Sequence, residues 1–247
     1  MSIDNKNNPT EALTFAAEAL PESRGHAERL AEEWQLAENT FNNEKVKHTI
    51  SIFGSARIPD PETLNNGECD AMASFYADAR ELSFRLGRYL EENNHTDTRL
   101  ITGGGPGIME AASRGAFDAG HASIGLNIAI PREQQLNPFI AAKHSVEFQY
   151  FALRKMHFLK RARALIVFPG GFGTLDELFE TLTLIQTKKM PRIPIILYGS
   201  EFWNRLLDLN LLSESGLIDA DNLELYHVVN TVEEAFNALQ PVMKELQ

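Results

Sequence analysis

A single cysteine, Cys69, in 247 residues excludes a disulfide framework and a cysteine-built zinc site. No apolar run reaches the roughly 18 residues that cross a bilayer as a helix. Residues 1–10 are polar and lack the apolar core of a secretory leader, so a cytoplasmic location is expected. Cations are scarce: 23 Lys and Arg against 34 Asp and Glu leave a net charge of −11. Nucleic acid and anionic membrane require clustered cations, so neither is an expected partner. A small anionic ligand remains compatible where the positive field is local. The seven histidines are scattered, with no H-E-x-x-H and no metal-ligand spacing, so no metal is expected. There is no G-x-S-x-G elbow and no evident covalent nucleophile.

The residues that are present describe an α/β chain. A 43% hydrophobic share in a chain of this length supports a full core. Short apolar runs at 49–53, 99–102, 122–130, 144–149, 164–168, 193–198 and 225–229 alternate with helical patterns. That alternation predicts a Rossmann-like, doubly wound, mostly parallel sheet of about seven strands. Residues 1–46 read as an N-terminal helical extension and 47–247 as one Rossmann-like domain. The extension shows two apolar stripes, Leu13-Ala16-Ala17-Leu20 before Pro21, and Leu30-Trp34-Ala37-Phe41. Either a packing arm or a lid fits them.

The densest signal lies at 164–187. Ala164 to Phe168 suits a buried strand; Pro169, Gly170, Gly171 and Gly173 break it; Leu175, Leu178, Phe179, Leu182 and Ile185 then recur at helical spacing. The glycines can adopt φ > 0 or let a ligand approach the backbone. A helix opening on such a turn directs unpaired N–H groups and a positive dipole end outward, which is a phosphate site. Thr174 and Glu177 also stand at the spacing of a capping box, which involves no ligand. Both readings are open.

Two further strand-to-helix turns resemble it. Gly54-Ser55-Ala56-Arg57 follows the first strand, placing Ser55 and Arg57 where open α/β sheets bind ligands. Gly103-Gly104-Gly105-Pro106-Gly107 follows the second. It is not G-x-G-x-x-G, because position 108 is Ile, and it lacks the Walker lysine. Gly104, Gly105 and Gly107 are candidates for a backbone-lined nucleotide cradle. Arg154, with His157 and Arg161 on the same helical sector, sits in a first helical turn, where the macrodipole disfavours a cation. Glu177 is its expected partner, in a site or in a plain salt bridge. Right-handed βαβ units bring all these junctions to one rim of the sheet.

Pro169-Gly170-Gly171-Phe172-Gly173-Thr174-Leu175-Asp176-Glu177 resembles in full the P-G-G-x-G-T-x-x-E pattern of the LOG family, which comprises cytokinin-activating enzymes and related nucleoside 5′-monophosphate phosphoribohydrolases. Arg154-Lys155 resembles the arginine–lysine pair ahead of the family motif, and the likeness runs from about residue 48 to residue 203. It implies hydrolysis of a nucleoside 5′-monophosphate to free base and ribose 5-phosphate, without a cofactor, in a homodimer. By the same resemblance Arg154 and Glu177 are catalytic, and Lys155, Gly170, Gly171, Gly173 and Thr174 bind substrate. Many members carry the label lysine decarboxylase, but no pyridoxal phosphate signature is readable here. Phe151-Ala152-Leu153 replaces the Met-His of plant members, and Pro106-Gly107-Ile108-Met109-Glu110 replaces their Ser-x-Gly-Leu-Met-Gly. These departures point to an ordinary nucleotide rather than a cytokinin. The alternative is a non-catalytic module, similar to molybdenum-cofactor carriers or nucleotide sensors, that holds a phosphate on the same loop.

Overall fold

In the computed structural model, which describes residues 25–64, 71–130 and 135–246, apolar strands alternate with amphipathic helices as the sequence predicts. The chain runs α1 (His26–Asn43), β1 (His48–Phe53), α2 (Ala73–Glu92), β2 (Thr98–Thr102), α3 (Ile108–Asp118) and β3 (Ser123–Ile128). It continues through β4 (Ser145–Phe148), α4 (Phe151–Lys160), β5 (Ala162–Val167), α5 (Phe172–Gln186) and β6 (Ile195–Tyr198). The last elements are α6 (Ser200–Leu206), α7 (Leu209–Glu214), β7 (Tyr226–Val229) and α8 (Val232–Lys244). The stripe at Leu13–Leu20, Pro21, Cys69 and Pro131 lie outside the described residues.

All seven strands pair in parallel, in the order β4-β3-β2-β1-β5-β6-β7. Period-two alternation divides the core. Ile50, Ile52, Leu100, Ile166 and Ile196 face α2, α3 and α8 on one side. Phe53, Ile101, Leu126, Leu165 and Val167 face the other, with Ala37 and Phe41 of α1, Phe158 of α4 and Leu178 of α5. The chain leaves β1 toward one edge of the sheet and β5 toward the other, on opposite faces. A crevice opens at that switch point, at the carboxyl ends of the two central strands.

Two local expectations needed revision, and a third held. β3 stops at Ile128 rather than 130. The single helix expected over 201–211 is two, because Leu207 is extended and the Asp208 carboxylate accepts from Leu211 N to cap α7 anew. Gly120, at φ 75°, terminates α3 in the left-handed region as its position predicts.

Candidate active site

The three turns at the switch point are joined through one residue. Ser55 N donates to the Pro169 carbonyl at 3.0 Å, and the Ser55 carbonyl accepts from Ile108 N at 3.0 Å. Glycine is required where these backbones press together. A Cβ on Gly107, at φ 67°, would overlap the Ser55 carbonyl, and one on Gly54 would lie 2.6 Å from Ile108. The Ser55 hydroxyl accepts from Arg57 N at 3.0 Å, which sets the turn and leaves the Arg57 side chain exposed on the cleft wall. The cleft has a volume of about 660 Å³ and is walled by the 54–57 turn, Gly103, Arg154 and residues 170–177.

The glycine loop before α5 uses its glycines for space. None of Gly170, Gly171 and Gly173 has positive φ among the described residues. A Cβ on Gly170 would overlap Thr174 Oγ1, whereas one on Gly171 or Gly173 would meet nothing within 4 Å. Gly171 is the N-cap, without a side-chain cap, and residues 171–173 are exposed. The first-turn N–H groups of α5 therefore open on the cleft. The capping-box reading fails here. The helix begins three residues earlier than that reading requires, so Thr174 lies inside it, buried, instead of capping it.

Glu177 is 6% exposed, and its Oε2 has no hydrogen-bond partner among the described residues. Burial pushes its carboxyl up to about 7, against the opposing pull of Arg154 and then Lys155. Arg154 comes to the same cleft from α4. Its Nε donates to the Leu126 carbonyl at 2.8 Å and its guanidinium lies 5.2 Å from the centroid of the Phe158 ring. Burial lowers Arg154 to about 10, with Glu177 acting in the opposite direction. Gly103 leaves room for it: a Cβ there would stand 2.5 Å from Arg154 Nη2 and 2.6 Å from Met109 Sδ.

Ser55, Arg57, Arg154, Gly170, Gly171, Gly173, Thr174 and Glu177 thus share one cleft. Other candidates are engaged beside it. Gly104 and Gly105 present their carbonyls to the buried Asn137 amide at 3.0 and 3.1 Å. Gly107 packs on the Ser55–Ala56 backbone. Lys155 bridges Asp176 at 2.8 Å and Glu180 at 3.1 Å, tying α4 to α5. His157 and Arg161 part from Arg154: His157 is fully buried against Trp34, Phe41 and Phe148, and Arg161 pairs with Glu38. Sequence reasoning missed Leu126 and Asn137, which act through a carbonyl and a long-range amide that leave no local pattern. Gly103 had a signal, its place in the glycine run.

Residues 109–239 match the family model described as possible lysine decarboxylase. The chain is 28% identical over 178 residues to cytokinin riboside 5′-monophosphate phosphoribohydrolase LOG3 of Arabidopsis thaliana, covering 70% of this chain and 79% of that one. A protein of Archaeoglobus fulgidus is 30% identical over 140 residues, 55% of this chain and 82% of its own length. This chain belongs to the LOG family. The phosphoribohydrolase of Mycobacterium tuberculosis shares 36% identity over 90 residues, 36% of this LOG chain and 48% of that enzyme. Among solved structures, the molybdenum cofactor binding protein of Rippkaea orientalis shares the fold, with a TM-score of 0.51 at 20% identity over 80% of this chain and 98% of that one. Among the described residues no helix of this LOG protein is long and apolar enough to cross a membrane.

Proposed function

We propose that the chain hydrolyses the N-glycosidic bond of nucleoside 5′-monophosphates, releasing free base and ribose 5-phosphate. One observation carries this reading: a buried carboxylate, one oxygen of which has no hydrogen-bond partner among the described residues, lies one helical turn beyond exposed first-turn N–H groups. The phosphate docks on the N–H groups at 172–174, where the helix dipole favours an anion, and Arg57 lies within the same cleft. The sugar then lies toward Glu177.

The reaction passes through an oxocarbenium-like sugar. The C1′–N bond breaks and its electron pair leaves with the base. Ionised Glu177 stabilises the cation and takes a proton from the water whose oxygen bonds to C1′; that proton goes on to the departing base. A charge pair at about 4 Å and an effective dielectric near 20 is worth roughly 4 kcal/mol, on the order of 10³ in rate. Arg154 opposes the effect of burial and favours the ionised form of Glu177. A module that only held a phosphate would gain nothing from the unpaired buried carboxylate. Among the described residues no lysine lines the cleft, so those residues do not fit a lysine-anchored decarboxylase.

The deciding experiment incubates purified protein with a panel of ribo- and deoxyribonucleoside monophosphates, a cytokinin riboside monophosphate included. Chromatography then follows released base. Release from at least one monophosphate is the expected result, and release from none removes the hydrolase reading.

A further inference from the structure

Arg154 reaches the cleft on a helix whose own sequence does not cap it. Tyr150, the N-cap of α4, makes no side-chain capping bond, and Phe151, Ala152 and Leu153 supply no acid to the first turn. The missing acceptor comes from the N-terminal extension. Glu33 of α1, 9% exposed, accepts from Gln149 N at 2.8 Å through Oε2 and from Tyr150 N at 3.1 Å through Oε1. A carboxylate at a helix start satisfies backbone donors and faces the positive end of the dipole. His26 of the same helix packs edge-on against the Tyr150 ring at 5.3 Å.

α1 also grips the far end of α4. Glu38 takes Arg161 through both oxygens, at 3.0 and 2.9 Å, and Lys160 at 2.9 Å. Between these two grips lies Arg154, whose N–H bonds the Tyr150 carbonyl at 3.2 Å. Moving the start of α4 moves Arg154 relative to the Leu126 carbonyl that receives its Nε–H.

We infer that Glu33 is a positioning residue for Arg154: the N-terminal extension holds the helix that delivers this guanidinium to the cleft. The kinetic half of the test rests on the hydrolase reading; the spectroscopic half does not.

Wild type is compared with Glu33→Ala and Glu33→Asp. In arginine-labelled protein, NMR follows solvent exchange of the Arg154 Nε–H. Exchange is expected to quicken by about tenfold or more in Glu33→Ala, while Arg80 and Arg114, on the opposite face of the sheet, keep their wild-type rates. In the base-release assay kcat is expected to fall about tenfold to a hundredfold, the scale of an ångström-level misplacement, with KM for the nucleotide little changed. Glu33→Asp should recover part of that loss. Unchanged exchange at Arg154 in folded Glu33→Ala overturns the proposal, whether or not the chain is a hydrolase; so does a wild-type kcat. A wild type that releases no base sinks the hydrolase reading and leaves the Arg154 signal to decide this one. Should Glu33→Ala not fold, Glu33→Gln, which keeps one acceptor and the side-chain volume, is read by the same two criteria.

Discussion

Arg154 and Glu177 face one cleft from neighbouring helices and sense each other's charge without forming an ion pair. Burial disfavours the charged form of each, lowering Arg154 to about 10 and raising Glu177 to about 7, and each partly offsets the other. A direct pair would hold the carboxylate ionised but fill the space before it. Held apart, they leave Glu177 Oε2 without a hydrogen-bond partner among the described residues.

Replacing Glu177 by Gln should abolish base release while nucleotide binding persists, measured by calorimetry. Retained turnover would remove Glu177 from the chemistry. The same variant should be more stable than the unliganded parent at alkaline pH. Glu177 rises from 4.5 to about 7 on folding, so its stabilising neutral form is fully present below about 4.5 and is lost as pH rises through 7. Thermal melts at about pH 8 should favour Glu177→Gln by roughly 1–3 kcal/mol.

Activity should carry the same titration. If ionised Glu177 takes the water proton, kcat/KM climbs with pH around a midpoint near 7. A profile flat between about pH 5 and pH 9 would contradict that role.

Two glycines of one loop should respond in opposite ways. In Gly173→Ala the new methyl meets nothing in the unliganded protein, and alanine is the better helix former by up to about 1 kcal/mol. The melting temperature should hold or rise, while kcat/KM for a monophosphate falls as the methyl intrudes on the phosphate. Gly170→Ala should instead destabilise the fold, because its Cβ collides with Thr174 Oγ1. The nucleoside lacking a phosphate should react far more slowly than its monophosphate, since remote binding energy positions the sugar. Equal rates would remove the phosphate cradle.

Gly103→Ala tests the seat of Arg154. Its methyl would displace the guanidinium and Met109 together, so kcat should fall by about tenfold or more, with phosphate affinity kept. Inorganic phosphate as a competitive inhibitor measures the second quantity.

His157 carries no part in the site and should report on folding. Burial lowers it from 6.5 to about 4, against the opposing pull of Glu38, whose Oε1 lies 3.4 Å from Nδ1. Its neutral form contributes stability that is complete above about 6.5 and is lost as pH falls through 4. Relative to wild type, His157→Leu should lose less stability between those limits, by on the order of 2 kcal/mol. Denaturant titrations at several pH values check it, and parallel curves would contradict the assignment.

The amino-acid sequence alone determined the order of elements, the parallel sheet, and the placing of Ser55, the 103–107 turn and the 170–177 loop at strand ends. Apolar period and glycine position are local properties, and right-handed crossovers carry every such junction to one rim. Tertiary packing decided the rest. It ran α5 back to Phe172, so that Thr174 became a buried helical residue rather than a cap. It turned Arg154 into the cleft, Lys155 onto Asp176 and Glu180, and His157 into the core, although the three share one short helix. It set Glu33 at the start of α4 across more than a hundred residues of chain. Helical spacing states which side chains share a face, but only the register of the sheet and the fit of the neighbouring helices decide what that face meets.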